Sequence, residues 1–256
     1  MARVNTGRLE QLQKYLVGRR MVTLEEIHAE FNVSIATARR DLDCLAQNGV
    51  VERIRGGAFI AAQASPQLPV FVRRQEQIQE KALIGLSAAS LVAEGEAVFL
   101  GGGTTVLEVA KNLIGRKNIT VVTNSILVIN ALADQMDVRL VIVGGIFRPE
   151  EQTVYGHFSE RMLEEINADK VIFGAQSINL NYGVMNDLTN DVSTDQAFIQ
   201  TGRVLILVAD HTKFNRLSTV SICSLERLQT IVTDRSTSPE MVKSLRERGI
   251  EVIIAS

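Results

Sequence analysis

The chain has 256 residues, 46% of them hydrophobic and 22% charged, with a formal net charge of −2. This composition is typical of a globular protein and excludes collagen-like repeats and wholesale disorder. No apolar run reaches the roughly 18 residues that a membrane-spanning helix needs. We expect no secretory signal, because a charged stretch rather than an apolar segment follows the N-terminus. The cysteines, Cys44 and Cys223, are too far apart for a metal knuckle, so we expect reduced thiols in a cytoplasmic protein without metal or cofactor.

The charge is unevenly distributed along the chain. Residues 1–60 carry nine basic and seven acidic residues, whereas residues 61–256 carry 18 basic and 22 acidic ones. A small basic segment joined to a larger acidic one is typical of a DNA-binding module with a second domain. Because an excess of two charges decides little, the positions of the arginines matter more.

Residues 1–60 predict three short helices followed by a β-hairpin. Apolar residues recur at helical spacing over residues 9–16, Thr23-Leu-Glu-Glu26 forms a capping box for a second helix, and Ser34 is a good N-cap for a third. Only about three residues join the second and third helices, which is typical of a helix-turn-helix. Residues 50–59 then predict two short strands that form a wing.

The third predicted helix has two different faces. At 100° per residue, an apolar stripe that includes Ile35 and Ala38 lies opposite a side with Ala36 and Arg40. Small residues in the first turn let the helix approach base edges, where Arg40 can pair with guanine, whereas Arg39 is better placed for a phosphate. For each arginine alone, a solvated charge is the better explanation, but their joint placement favours DNA contact. The residues that we predict to contact DNA are Thr23, Ser34, Ala36, Thr37, Arg39, Arg40, Arg53 and Arg55.

This segment closely resembles the DNA-binding domain of DeoR-family bacterial transcriptional regulators. The family pattern begins with an arginine followed by apolar residues four and eight positions later, as in Arg8, Leu12 and Leu16. It continues with the run Ser34-Ile-Ala-Thr37-Ala38-Arg39-Arg40-Asp41-Leu42, in which every constrained position fits. The resemblance implies a winged helix-turn-helix domain over residues 1–60.

The rest of the chain predicts an α/β domain. Residues 61–72 contain two of the four prolines and predict a linker, which leaves residues 73–256 for an effector-binding and oligomerisation domain. Alternating short apolar runs and helical patterns indicate a Rossmann-like, largely parallel sheet. The predicted strands are Ala97–Leu100, Ile119–Val122, Val138–Val143, Val171–Phe173, Val204–Val208, Thr230–Val232 and Ile250–Ile254. The predicted helices are Thr105–Leu113, Ile126–Ala133, Phe158–Ile166, Ser193–Thr201 and Pro239–Arg248.

Small and polar residues follow these predicted strands, where the ligands of open α/β sheets bind. Gly101-Gly-Gly-Thr-Thr105 comes directly before a helix, so its amides and hydroxyls predict an anion site, most plausibly for phosphate. The stretch is not a P-loop, because no lysine follows the last glycine, and it lacks the spacing of a dinucleotide-binding fingerprint. A tight turn without a ligand remains the alternative.

This second segment also resembles the effector-sensing domain of DeoR-family proteins. Matching stretches include Phe99–Val106, Ile119–Ser125, Val143–Arg148, Ala168–Gly174 and Val208–Phe214. The resemblance implies a fold related to ribose-5-phosphate isomerase and a phosphorylated sugar or sugar-alcohol effector that releases the regulator from its operator. The effector-binding residues that it implies are Gly102, Gly103, Thr104, Thr105, Thr123, Asn124, Ser125, Gly144, Gly145, Asp210 and Lys213.

The chain departs from the family pattern at two places. Many members have Asp at the position of Gly101, and many carry a basic residue where this chain has Asp195-Gln196. These departures leave the fold unaffected and bear on the identity of the ligand.

The sequence leaves an enzyme on the same fold as the rival interpretation. A sugar-phosphate isomerase needs a carboxylate base, and Asp210 with Lys213 fits that description. The histidines His157 and His211 lack an evident serine or cysteine partner. An intact DNA-reading segment favours a regulator, with operator DNA, a phosphorylated effector and a second copy of itself as partners, because one helix-turn-helix reads only a half-site. We expect it in the bacterial cytoplasm, associated with the nucleoid when bound to DNA.

Overall fold

The computed structural model describes residues 8, 9, 11, 12, 15, 21–47, 51–54, 56–59, 69–187 and 192–256. The chain divides into two compact units, Met1–Leu68 and Pro69–Ser256. Each unit has its own hydrophobic core. Among the described residues, none of the helices is long and apolar enough to cross a membrane.

The first unit contains a helix-turn-helix and a three-stranded antiparallel sheet. Its helices are α1 (Leu24–Phe31) and α2 (Ile35–Gln47), and residues 8, 9, 11, 12 and 15 are also helical. Its strands are β1 (Met21–Thr23), β2 (Glu52–Ile54) and β3 (Gly57–Phe59), with β3 in the centre. The predicted winged helix-turn-helix is therefore confirmed. The sequence did not reveal β1, which adds a third strand to the wing.

A compact apolar core holds the first unit together. Leu12, Ile27, Ala38, Leu42 and Leu45 are at most 1% exposed. The left-handed backbone of Asn32 (φ 48°) ends α1 and turns the chain toward α2. Both helices thus pack against the same core, while the opposite side of α2 is left to solvent.

An ion pair in this unit joins two residues of the sequence motif. The Arg8 guanidinium donates to both carboxylate oxygens of Asp41, at 2.7 and 3.0 Å, and the Asp41 side chain is only 3% exposed. The hydrogen bonds to Asp41 raise the pKa of Arg8. Because a buried carboxylate needs a partner, this bidentate pair fixes the first helical segment against α2.

The second unit is built on a seven-stranded parallel sheet, which confirms the predicted α/β class. The strands of the unit, in this sheet and in two smaller ones, are β4 (Ala97–Leu100), β5 (Ile119–Thr123), β6 (Val138–Ile142), β7 (Ile146–Arg148), β8 (Thr153–Tyr155), β9 (Ala168–Phe173), β10 (Ser177–Asn179), β11 (Gly183–Asn186), β12 (Gly202–Val208), β13 (Val220–Cys223), β14 (Thr230–Thr233) and β15 (Glu251–Ile254). The sheet order is β15-β14-β12-β9-β4-β5-β6. From β4 the chain runs through β5 and β6 in one direction, and from β9 it runs in the other. The strand order therefore reverses between β4 and β9.

Helices cover both faces of this sheet. They are α3 (Val70–Arg73), α4 (Ile78–Ala89), α5 (Thr104–Asn112), α6 (Ile126–Leu132), α7 (His157–Glu164), α8 (Val192–Thr201) and α9 (Pro239–Glu247). Alternate residues of β4 point to opposite faces: Val98 and Leu100 join the core under α4 to α6, and Phe99 joins the other core. The Phe99 ring stacks on Phe198 of α8, with 4.9 Å between centroids.

Several elements of this unit were absent from the sequence-based prediction. They are α4, the hairpin of β7 and β8, and a small antiparallel sheet of β10, β11 and β13. Of the predicted linker, residues 61–72, the first eight residues lie outside the described residues. Its last four residues belong instead to the second unit, because α3 buries Val70 and Val72 and the Val70 amide donates to the Glu150 carbonyl at 2.8 Å.

Candidate functional sites

Helix α2 of the first unit begins with a hydroxyl cap. The Thr37 amide donates to the Ser34 Oγ at 3.2 Å, and the two hydroxyl oxygens, Ser34 Oγ and Thr37 Oγ1, lie 2.9 Å apart. This cap satisfies one of the amides that an α-helix leaves without an internal partner. Ser34 therefore acts as the predicted N-cap, and both hydroxyls are engaged in the helix terminus.

The side of α2 that faces away from the core carries the predicted reading residues. Ala36, Arg39 and Arg40 are exposed, as the helical wheel requires. Ile35 was assigned to the apolar stripe, and that assignment is wrong, because its side chain is 37% exposed. Ile35 precedes the first core residue, Ala38, by almost one turn and so extends past the end of the core.

Two other predicted DNA contacts are engaged within the unit. Arg53 donates to Asp43 Oδ1 at 2.7 Å and to the Gly57 carbonyl, so it joins α2 to the wing. The Thr23 hydroxyl accepts from the Glu26 amide at 3.1 Å, and the Glu26 carboxylate accepts from the Thr23 amide at 2.8 Å. The capping box is thus confirmed. Arg55 lies outside the described residues.

The glycine-rich loop of the second unit lies where the strand order reverses. Gly103 has φ +104°, a left-handed conformation that favours glycine, and it stands at the N-cap of α5. Among the described residues no side chain caps this helix end. Gly174, which follows β9, lies across the gap: a Cβ there would be 3.9 Å from the Gly102 carbonyl. A crevice at such a reversal is where open α/β sheets bind ligands, and a helix N-terminus favours an anion there.

The loop after β5 presents polar atoms with no partner. In the part of the chain that the structure describes, Asn124 Oδ1 and Ser125 Oγ are buried and accept or donate no hydrogen bond. Asn124 is held by its Nδ2, which donates to the Val154 carbonyl at 3.0 Å. Buried polar atoms are almost always satisfied, so two orphaned ones in one loop indicate a missing ligand or water. Thr123 is different, because its hydroxyl donates to the Leu100 carbonyl at 2.7 Å and accepts from the Ser125 amide at 3.0 Å.

Beyond β9, the end of β12 brings Asp210 and Lys213 together on one short turn. Asp210 is 1% exposed, and its Oδ1 accepts from the Thr212 amide at 3.0 Å and from the Thr212 hydroxyl. Burial lowers the pKa of Lys213, an effect that the Asp210 carboxylate opposes. Asp210 is thus turned into its own loop, where it supports the ammonium of Lys213.

Sequence reasoning missed a second lysine at this place, Lys81 of α4. It is 4% exposed, and its Nζ donates to the carbonyls of Arg73 and Glu76, both at 2.6 Å. Burial lowers its pKa to about 8; Asp210 opposes this effect and Lys213 adds to it. A buried lysine whose pKa lies this close to physiological pH is a candidate binding group.

The packing of α4 brings Lys81 toward the glycine loop. Gly85 lets α4 cross α5 closely, because a Cβ at that position would lie 2.6 Å from the Glu108 backbone and Cβ. Lys81 is one turn before Gly85, and Thr104 is one turn before Glu108, so both helices begin at the same edge of the sheet. No sequence periodicity marks a buried lysine, which is why only the packing reveals it.

Side chains that follow β9 form hydrogen bonds with groups at the end of β11. Gln176 Nε2 donates to Asp187 Oδ2 at 2.6 Å, and the Asp187 amide donates back to Gln176 Oε1 at 2.7 Å. Asp195, at one of the departures from the family pattern, accepts from Asn186 Nδ2 at 2.6 Å. The acidic residue thus fixes a neighbouring amide side chain.

The remaining predicted residues are Thr105, Gly144 and Gly145. Thr105 is buried in the first turn of α5. The two glycines follow β6, the edge strand, where the Ser159 hydroxyl donates to the Gly144 carbonyl at 2.7 Å. They therefore lie two strands from β4. No group of three or more His, Cys, Asp or Glu residues that could hold a metal ion occurs in the described ranges.

Comparisons with known proteins match the two units of the chain to two different family models. The family model described as "DeoR-like helix-turn-helix domain" matches residues 8–64, and the one described as "DeoR C terminal sensor domain" matches residues 76–235. The "Transcriptional repressor AccR" of Agrobacterium fabrum is 32% identical over 90% of this chain and 90% of its own length. The "Glycerol-3-phosphate regulon repressor" of Escherichia coli is 29% identical over 90% of this chain and 91% of its own length.

Among solved structures, a ribose 5-phosphate isomerase A from Methanocaldococcus jannaschii matches with a TM-score of 0.39 and 15% identity. The match covers 52% of this chain and 53% of that one. A likeness this distant says nothing about activity.

Proposed function

Because the chain belongs to the DeoR family of transcriptional regulators, we propose that it represses an operon of carbohydrate use and leaves its operator when a phosphorylated sugar or sugar alcohol binds the second unit. The names of its relatives support this proposal, since they include a repressor of a glycerol-3-phosphate regulon. The same relatives are regulators rather than enzymes, which argues against the isomerase alternative.

DNA reading is assigned to α2 of the first unit. Arg40 is exposed on the side opposite the core, so it can pair with a guanine edge. Arg39 flanks it and is placed for a phosphate, which orients the helix without reading sequence. Ser34 and Thr37 support the reading by fixing the helix terminus. Arg53 supports it by tying the wing to α2.

Effector binding is assigned to the crevice between β4 and β9. The observation that carries this proposal is the pair of orphaned buried atoms, Asn124 Oδ1 and Ser125 Oγ, on the loop beside the glycine-rich stretch. In our proposal, the amides of Gly102, Gly103 and Thr104 and the hydroxyls of the two threonines hold a phosphate. Asn124 and Ser125 bind hydroxyls of the sugar.

The lysines supply positive charge to the same ligand. Lys81 is buried and Lys213 is half-buried, both beside Asp210, and a dianionic phosphate stabilises their charged forms. The other predicted residues have supporting roles: Thr123 holds the loop by bridging β4 and β5, and the Gly144 carbonyl accepts from Ser159 of α7.

The assembly and location of the protein follow from DNA reading. One helix-turn-helix contacts one half-site, so we propose that a dimer or tetramer binds repeated sites. We further propose that it acts in the bacterial cytoplasm, on the nucleoid when bound to DNA.

Thermal-shift measurements on full-length protein test the effector site. Phosphorylated sugars and sugar alcohols are screened in pairs with their unphosphorylated counterparts, and we expect a large stabilisation by one phosphorylated compound only. Turnover of that compound would favour the isomerase instead.

The variant Ser125→Ala separates a binding role from a structural one. It removes a hydroxyl that is buried without a partner, so the free protein should be as stable as the wild type or more stable, while the ligand-induced shift falls. Thr120→Ala, at the opposite end of β5, is the matched control and should keep the full shift. Equal loss of shift in both variants, or none in Ser125→Ala, would contradict the assignment.

A further inference from the structure

The first turn of α2 presents an apolar surface at the end of the helix. Ile35 is 37% exposed and Ala36 is exposed, whereas the large apolar side chains farther along, Leu42 and Leu45, are at most 1% exposed. An exposed isoleucine is ordinary on a protein surface. The position of Ile35 is unusual, because the first residues of the second helix of a helix-turn-helix are those that contact base edges.

The polar side chains of the same turn are already engaged. Ser34 Oγ accepts from the Thr37 amide at 3.2 Å and lies 2.9 Å from Thr37 Oγ1. The exposed side chains beside this engaged cap, those of Ile35 and Ala36, are apolar. The reading surface at the start of the helix is therefore apolar, and the charge begins four residues later, at Arg39.

We propose that Ile35 is a specificity-determining residue that contacts the 5-methyl group of a thymine in the major groove. Thymine is the base that carries a methyl group there, and an apolar side chain distinguishes it from cytosine and from the other bases. The proposal rests on the proposed DNA reading by α2. It adds an apolar contact to the guanine contact assigned to Arg40, so the half-site should contain both a thymine and a guanine.

Uracil substitution isolates the methyl group. A duplex that binds full-length wild-type protein is first selected from a random library, and each of its thymines is then replaced singly by deoxyuridine. Because one buried methyl group contributes about fourfold to affinity, we expect at least one thymine in each half-site at which uracil weakens wild-type binding by about fourfold. In Ile35→Ala the same replacement should weaken binding by less than about twofold.

Two control variants test whether the loss of the uracil penalty is specific to Ile35. Ile114→Ala removes an isoleucine that is 51% exposed on the second unit and should keep the wild-type penalty for uracil. Arg39→Ala should weaken binding to the thymine and uracil duplexes by the same factor.

Three outcomes would overturn the proposal. A full uracil penalty in Ile35→Ala, or a wild-type protein that is indifferent to uracil at every thymine, would contradict the role of Ile35 alone. Failure of the wild type to select any sequence would contradict DNA reading itself, and the role of Ile35 with it.

Discussion

The two units place their functional groups in opposite environments. On α2 the reading arginines, Arg39 and Arg40, are exposed and lie on one short stretch of sequence. In the second unit, the groups assigned to the effector are buried and come from the ends of separate strands, as Asn124 and Asp210 do. DNA contacts should therefore be removable at little cost to folding, whereas changes at the effector contacts should alter ligand affinity, proton uptake and stability together.

The largest change in stability is expected from the ion pair that holds the DNA-reading unit together, not from the residues that contact DNA. Arg8→Met leaves the Asp41 carboxylate buried without its partner, so the free energy of unfolding of this unit should fall by about 3 kcal/mol. Urea unfolding followed by hydrogen exchange of α2 amides measures this. Arg39→Met, at an exposed arginine, should stay within about 0.5 kcal/mol of the wild type.

A double replacement sharpens that test. Combining Arg8→Met with Asp41→Leu removes both charges and should recover most of the lost stability. If the double variant is as unstable as Arg8→Met alone, the loss comes from packing rather than from an uncompensated carboxylate.

The two exposed arginines should have different roles, one in sequence preference and the other in affinity for any DNA. Arg40→Ala should lose about 2 kcal/mol of preference for the operator over unrelated DNA, because a bidentate guanine contact is removed. Arg39→Ala should weaken binding to all DNA alike and lower the salt dependence by about one phosphate contact. Titrations of fluorescent duplexes at several salt concentrations measure both. Equal loss of affinity at every base position in the two variants would contradict this division of roles.

Effector binding should depend on pH through the buried lysines. The pKa of Lys81 is lowered to about 8, so above that pH the free protein holds the lysine neutral. A bound phosphate favours the ammonium form, and binding then takes up a proton. Affinity should be nearly constant from pH 7 to about 8 and fall by up to about tenfold for each further pH unit. Phosphate itself is already dianionic there, since its second pKa is about 6.

Calorimetric titrations in buffers of different ionisation enthalpy measure this proton uptake. Lys81→Met should reduce the uptake, and the part that remains reports Lys213, whose pKa is also lowered. Lys111→Met, at an exposed lysine on α5, is the control and should leave the pH profile unchanged. A wild-type affinity that stays constant to pH 9.5 would rule out a lysine in contact with the ligand.

The smallest expected effect concerns the capping box. Thr23→Ala removes the hydroxyl that accepts from the Glu26 amide and should destabilise the first unit by about 1 kcal/mol. At temperatures where the unit stays folded, operator affinity should be unchanged. A marked loss of affinity in the folded variant would show that Thr23 contacts DNA as well as capping α1.

Sequence periodicity predicted the helix-turn-helix and the parallel sheet because both depend on local signals. The Thr23 capping box, the Ser34 cap and the apolar runs each lie within a few residues of the element that they define. Ile35 was misassigned because a helical wheel gives the angular position of a residue but not where the core ends along the helix axis. The hairpin of β7 and β8 was missed because three-residue strands are too short to show a period.

The groups that were missed depend on contacts between distant segments. Arg8 and Asp41 are both part of the family motif, yet nothing local links two residues 33 positions apart. Lys81 resembles any solvated helix lysine until α4 packs against α5 through Gly85. The orphaned atoms of Asn124 and Ser125 likewise exist only in the folded chain, where Asn124 is bound to the β7–β8 hairpin 30 residues further along.

Release of DNA by the effector tests the coupling of the two units most directly. Anisotropy of a fluorescent operator duplex is followed while the phosphorylated compound found by thermal shift is added to wild type, Thr104→Ala and Thr120→Ala. We predict that all three proteins bind the duplex equally, that wild type and Thr120→Ala release it, and that Thr104→Ala needs at least about tenfold more compound, because it loses a contact to phosphate. Release of the duplex from Thr104→Ala at the wild-type concentration would contradict the phosphate site at the glycine-rich loop.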